Sequence, residues 1–344
     1  MNLSFTIPYI GVTLPVIAVL IIALAFLFDF YNGMHDAANS IATVVATKVL
    51  SPFQAVAWAA FFNFSAIFVF GLGVAATIGK GLVVVSVLDN TVILSALIGA
   101  IIMAAAATHL GIPLSISHCL IGGLGGVAVF KAGFGALIAS GFLKVIAFIF
   151  ISPVLGYLIA GIFSVITMWI VKDSPPRKVD KHFRKLQIAS AAAYSLSHGG
   201  NDAQKTMGLI TMVLIANKAL SPAAHTPYWV VFCCNAVIAL GTLFGGWKVI
   251  KTLGMKMTKL TPFGGFSAES SASITIFIAS AFGVPVSTTH TISGAIAGVG
   301  AAKSTKAVRW KVARNIIWAW ILTIPLSAAF GMITYKILLL LKIG

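Results

Sequence analysis

The chain has 344 residues, of which 59% are hydrophobic and 9% charged, and its mean hydropathy is +1.04. Soluble domains carry about 25% charged residues, so a core of this size cannot hide the apolar surplus and a lipid bilayer must cover it. Disorder, a coiled coil and a disulfide scaffold are excluded, and so is a nucleic-acid binder despite the net charge of +16. The 23 Lys and Arg against 7 Asp and Glu instead mark cytoplasmic loops beside anionic headgroups.

In chain order, Met1–Pro8 has no Lys or Arg. It lacks the basic start of a signal peptide, so the first helix is expected to be retained. Apolar segments follow near 9–30, 53–78, 91–109, 112–130, 141–171, 186–197, 203–217, 228–247, 267–282, 284–302 and 312–341. A span needs about 20 apolar residues, so some are short and others long enough to tilt or break. Three basic clusters, at 172–185, 248–259 and 303–314, are placed in the cytoplasm by the positive-inside rule. Cys119, Cys233 and Cys234 lie in apolar runs and offer neither a disulfide framework nor paired metal-ligand spacing.

The chain repeats itself. Lys48-Val49-Leu50-Ser51-Pro52 returns as Lys218-Ala219-Leu220-Ser221-Pro222, 170 residues on. Gly111-Ile112-Pro113-Leu114-Ser115-Ile116-Ser117-His118 returns as Gly283-Val284-Pro285-Val286-Ser287-Thr288-Thr289-His290 at an offset of 172. Asn32, Gly33 and Asp36 match His198, Gly199 and Asp202 at an offset of 166. This divides the chain into a first repeat (1–171), a basic cytoplasmic linker (172–185) and a second repeat (186–344). The basic loops at 248–259 and 303–314 correspond to 76–87 and 131–142, which hold only Lys80 and Lys131, so the repeats are expected to be inverted. Inverted repeats are typical of secondary transporters, whose site lies at the midplane between the halves. The expected fold is an all-α polytopic membrane protein with about 10–12 membrane segments, broken helices and re-entrant helical hairpins.

Asp29, Asp36, Asp202 and Glu269 fall in or beside apolar runs. An acid at the bilayer centre costs roughly 2.5–3.5 kcal/mol on insertion scales, which is expensive unless it binds something. A glycine precedes Asp36 and Asp202 and a helical pattern follows each, so the reading is a chain break with the acid near a new helix start. Such an acid either caps the helix or coordinates a cation. In the Gly-x-Pro-x-Ser-x-Ser/Thr-His blocks, glycine and proline interrupt the helix. The break bares N–H groups, to which Ser115, Ser117, Ser287, Thr288 and Thr289 add hydroxyls, a set that suits a dehydrated tetrahedral anion. A kinked helix with self-bonded hydroxyls is the plainer reading. His118 and His290 are either structural or proton-coupling groups; His35, His109 and His198 are weaker candidates. Lys205 either balances Asp36 or Asp202 or contacts the anion. Glu269 is placed at a hairpin entrance, and Asn63 and Asn235 between helices.

At these residues the sequence resembles the inorganic phosphate transporter (PiT) family, in its bacterial low-affinity form. The duplicated signature stands at Gly33, Asp36 and Asn39 and at Gly199-Gly200-Asn201-Asp202-Ala203-Gln204-Lys205-Thr206, beside the two Pro-x-Ser-x-Ser/Thr-His blocks. The resemblance covers nearly the whole chain. It implies cation-coupled symport of inorganic phosphate, commonly by a homodimer, in the plasma membrane (the bacterial inner membrane), by an elevator-like movement. It implies phosphate contacts from Ser115, Ile116, Ser117, Ser287, Thr288, Thr289, Asn39, Gln204, Lys205 and Thr206. Cation or proton coupling then falls to Asp36, Asp202, Asn32, Asn201, His118, His290 and Glu269, with Asp36 and Asp202 as candidate Na+ ligands. No resident cofactor is expected, only a co-transported H+ or Na+, with phosphate free or metal-complexed. The sequence departs from many members at Met34-His35-Asp36, where they carry Ala-Asn-Asp, and at Asn63, where some carry glutamate. The histidine form looks like proton-coupled bacterial members. Two other readings remain: symport of another oxyanion such as sulfate, and an intramembrane enzyme acting on a phosphorylated lipid, against which stands the lack of an Asp-x-x-Asp metal cluster.

Overall fold

The computed structural model describes residues 4–7 and 12–342; residues 1–3 and 8 of the Met1–Pro8 segment lie outside them. Strands β1 (Ser4–Ile7) and β2 (Val12–Pro15) pair antiparallel, so the first helix starts later than hydropathy suggests. Val12 and Thr13 favour extended backbone, and Pro15 sits at the N-cap. Twelve α-helices follow among the described residues. In the first half they are α1 (Val16–Ala46), α2 (Pro52–Ser65), α3 (Gly73–Gly81), α4 (Asn90–Leu110), α5 (Ile116–Ala132) and α6 (Ala139–Val171). In the second half they are α7 (Pro176–Ala216), α8 (Tyr228–Phe244), α9 (Trp247–Lys256), α10 (Pro262–Ala281), α11 (Thr288–Lys303) and α12 (Trp310–Leu340).

Local chemistry sets several starts. Ser51 and Gln54 form a capping box ahead of α2, Asp89 accepts the Val92 N–H at 2.8 Å to cap α4, and Pro176 occupies the first turn of α7. By length and apolarity α1, α4, α6 and α12 can cross a bilayer, and six spans result if each bent pair counts as one. Those pairs bend by 80° between α2 and α3 and by 65° between α8 and α9. The polar helices α7 and α10 fall outside that set because their hydroxyls, amides and acids, buried inside the protein, lower the average hydropathy; α11, at 16 residues, is too short. On α6 and α12, Phe150, Leu158, Ile162, Trp318, Ile321 and Ile337 are exposed, as a lipid-facing surface requires.

Contacts repeat when the halves are exchanged. α1 packs on α8 as α7 packs on α2, and α5 lies against α12 as α11 lies against α6. Thr77 on α3 donates to the Gly283 carbonyl at 2.7 Å, and Thr252 on α9 donates to the Gly111 carbonyl at 3.1 Å. Each bent pair thus reaches the hairpin turn of the other half.

Two expectations need correction. The segment 172–185 is not a loop throughout: residues 176–185 are the first turns of α7, because nothing after Pro176 interrupts a helix. Nor does the chain break at Asp36 and Asp202, since α1 and α7 run continuously through them. The preceding glycines serve close packing instead. A Cβ at Gly33 would collide with the Ile238 carbonyl, and one at Gly199 with the Asn63 backbone. The breaks expected at the hydroxyl blocks are present: Gly111 and Gly283 take left-handed φ of 71° and 64°, Pro113 and Pro285 follow, and Ser115 and Ser287 cap the next helices.

Candidate functional site

The two unbroken helices and the two hairpins meet at one buried polar centre. Ser115 and Ser287 spend their hydroxyls on the N–H groups of His118 (3.3 Å) and His290 (3.2 Å). The first amides of α5 and α11, at Ile116–Ser117 and Thr288–Thr289, have no partner within their own helices, as at any helix start. Both starts carry partial positive charge. They approach each other closely: the His118 and His290 rings lie 4.7 Å apart, edge to face, and Trp320 stacks on His290 at 3.8 Å.

The acids face these starts. Thr288 Oγ1 donates to Asp202 at 3.2 Å and to Asp36 at 3.4 Å, and Thr289 Oγ1 donates to Asp36 at 3.3 Å. The Asn39 amide donates to Thr289 Oγ1 at 2.9 Å and to Thr288 Oγ1 at 3.5 Å. Lys205 Nζ donates to Asp202 Oδ1 and the Val286 carbonyl, each at 2.7 Å, and to Ser117 Oγ. His198 Nε2 stands 3.5 Å from Asp202 and 3.9 Å from Asp36, while its Nδ1 pairs with Asn63 Oδ1 at 3.0 Å. Asp36, His198 and Asp202 each offer a ligand atom within 4.8 Å of the others, so this trio could hold a cation. His35 joins from behind, its Nδ1 on Thr108 Oγ1 at 2.9 Å; the matching contact in the other half is the Asn201 amide on Ser280 Oγ at 2.8 Å.

Other predicted residues sit nearby with different partners. Gln204 accepts the N–H groups of Val74 (3.0 Å) and Ala75 (3.1 Å) and so caps α3. Thr206 donates to Asp29 at 2.9 Å. The side-chain oxygens of Asn32, Asn39 and Asn201 are buried without a partner. Glu269 lies apart from the centre, among Thr43 (2.5 Å), Ser190 (2.5 Å) and Gln187 (3.0 Å). His198 is more central than its sequence suggests. The signal was present: it stands one turn before Asp202 and matches Asn32 in the repeat.

A chain with membrane-length apolar helices on its outside and charged groups sealed among helix starts is built as a membrane transport protein. The profile of the phosphate transporter family matches residues 32–331. The chain is 50% identical over 315 residues to a probable low-affinity inorganic phosphate transporter of Rhizobium meliloti (strain 1021), covering 92% of this chain and 94% of that one. It is 45% identical to a protein of the same description from Bacillus subtilis (strain 168), covering 94% and 98%. A solved structure described as the sodium-dependent phosphate transporter superposes with a TM-score of 0.84 at 29% identity, over 94% of this chain and 99% of that one. The chain belongs to the phosphate transporter family, whose members are transporters and not enzymes.

Proposed function

We propose that the protein carries inorganic phosphate across the plasma membrane together with H+ or Na+. One observation carries this reading: the open starts of two helices, from opposite halves, converge on two buried acids. Free amides at Ile116–Ser117 and Thr288–Thr289, with the hydroxyls of Ser117, Thr288 and Thr289, replace the hydration shell of a tetrahedral oxyanion. Asn39 and Lys205 position those hydroxyls. Asp36 and Asp202, with His198, Asn32 and Asn201 around them, hold the counter-charge.

The acids create the coupling. Two like charges about 4 Å apart repel by about 4 kcal/mol at an effective dielectric constant of 20, roughly a thousandfold in affinity. An anion therefore enters well only when a proton or metal ion neutralises an acid, and the loaded or empty forms exchange between sides. The repeats are taken as inverted, with the segment 172–185 cytoplasmic, so that exchanging their roles exposes the site to alternate faces.

The test is labelled-phosphate uptake into sealed proteoliposomes, with proton and sodium gradients imposed separately. Uptake should follow one of the gradients, and Asp36→Asn should abolish it while the protein remains in the membrane. Unimpaired uptake by Asp36→Asn would remove Asp36 from the mechanism. Excess sulfate should compete weakly; complete competition would make the substrate a general oxyanion.

A further inference from the structure

Asn39 and Lys205 occupy the same place in the two halves. Each follows its buried acid by three residues, at the 166-residue spacing that relates Asp36 to Asp202. Their partners correspond as well. The Asn39 amide donates to Thr289, the Lys205 ammonium donates to Ser117, and Ser117 and Thr289 are matched positions of the two hairpins.

Beyond that shared contact the two differ. An ammonium has three N–H donors, and Lys205 places all three on this chain: Ser117 Oγ, Asp202 Oδ1 and the Val286 carbonyl. It has none to offer an anion. Asp36 has no such partner. It receives one long hydroxyl hydrogen bond, of 3.3 Å from Thr289, and shares the Thr288 proton, at 3.4 Å, with Asp202, and it faces ring nitrogens of His35 and His198 at 3.9 Å. Beside it the Asn39 side-chain oxygen is buried with no donor, which is costly unless something fills the position. A carboxylate next to an unpaired amide oxygen is a donor set for a hard cation.

We propose that the Lys205 ammonium permanently fills, in the second half, the position that an exchangeable cation takes in the first. The protein then moves one fewer coupling cation per phosphate than a site with two Asp–Asn pairs would. The tethered charge stabilises Asp202 in both the empty and loaded forms and never leaves with the substrate. This rests on the cation-coupled reading above and deepens it.

Lys205→Asn places the first half's residue in the second half, and Lys205→Met removes the charge without supplying an oxygen. The cation gradient that holds labelled-phosphate flux at zero in proteoliposomes gives the number of coupling cations. Lys205→Asn should need one more cation per phosphate than the unchanged protein, whereas Lys205→Met should lose uptake at every sodium concentration and pH. An unchanged stoichiometry in Lys205→Asn, or identical behaviour of both variants, overturns the proposal. If Lys205→Asn does not transport, its thermal unfolding in detergent decides. Sodium chloride against choline chloride, or acidification, should raise its melting temperature by more than that of the unchanged protein and of Lys205→Met; no such difference also overturns the proposal. If the unchanged protein ignores both gradients, the coupling reading fails instead, and the unfolding comparison still reports on Lys205.

Discussion

Two regions at matched positions of the repeat have opposite chemistry. On one side Glu269 of α10 is sealed by Thr43 of α1 and by Gln187 and Ser190 of α7, with Thr47, the residue that caps the end of α1, bonded to Gln187; every one of them is buried. The repeat offsets of 166 and 172 carry these five to Leu97, Leu209, Val213, Ile21 and Leu24. Those residues share one hydrophobic cluster, with Leu97, Leu209, Val213 and Ile21 fully buried and Leu24 packed against it. The same three-helix junction therefore exists as a dry plug in one place and as a carboxylate held by hydroxyls and an amide in the other. Backbone symmetry fixes where the junctions lie, and side chains decide which can bind or pass an ion.

The comparison breaks most severely if the polar junction is made like the dry one. Glu269→Leu strands Thr43 Oγ1, Ser190 Oγ and Gln187 Nε2 beside an alkyl chain. Each buried group left without a partner costs about 1–3 kcal/mol, and the cation-coupling role that the family resemblance implies for Glu269 would be lost as well. Phosphate uptake should vanish, with a clear fall in melting temperature. Uptake at the unchanged rate would show the junction to be packing alone. Next comes Leu97→Ala in the dry junction. A Leu-to-Ala cavity costs about 2–5 kcal/mol, but no polar group is orphaned. The melting temperature should fall while uptake per folded molecule, normalised to surviving protein, keeps its cation dependence. A changed cation dependence would mean that the plug takes part in coupling.

Much of this was legible in the sequence, because repetition and punctuation are local signals. The Gly-x-Pro blocks at 111–118 and 283–290 announce the hairpins, and matched acids in apolar runs announce a buried site. The continuity of α1 and α7 was not legible. A glycine that ends a helix and one that admits a neighbouring backbone look alike in sequence, and only the approach of Ile238 to Gly33 separates them. Gln204 is a similar case. It lies within the signature, yet it caps α3 across the fold, a contact between residues about 130 positions apart that no local pattern encodes. The partners of Glu269 come from two other helices, α1 and α7, so the acid was visible while its cluster was not.

The mildest test exchanges one pair across the comparison. Thr47 donates to Gln187 Oε1 at 2.9 Å and shares its proton with the Thr43 carbonyl at 3.0 Å; counted along the helices from the matched acids, α7 running one turn longer than α1 before the Lys-x-Leu-Ser-Pro run, its counterpart in the dry junction is Val213. Thr47→Val keeps the shape and the β-branch and removes one hydroxyl. Gln187 Oε1 then loses a donor while Gln187 Nε2 keeps its bond to Glu269, so the cost should stay near about 1 kcal/mol, a shift of a few degrees in melting temperature. Uptake should persist, with the cation dependence altered slightly if at all, since Glu269 retains all three of its donors. The reverse exchange, Val213→Thr, places a hydroxyl where only its own helix carbonyls can accept it, and should cost a similar amount without creating an ion site. If Thr47→Val instead removes uptake as completely as Glu269→Leu, the hydroxyl is itself a ligand of the transported cation, and the polar junction extends one helical turn further along α1 than the Glu269 contacts show.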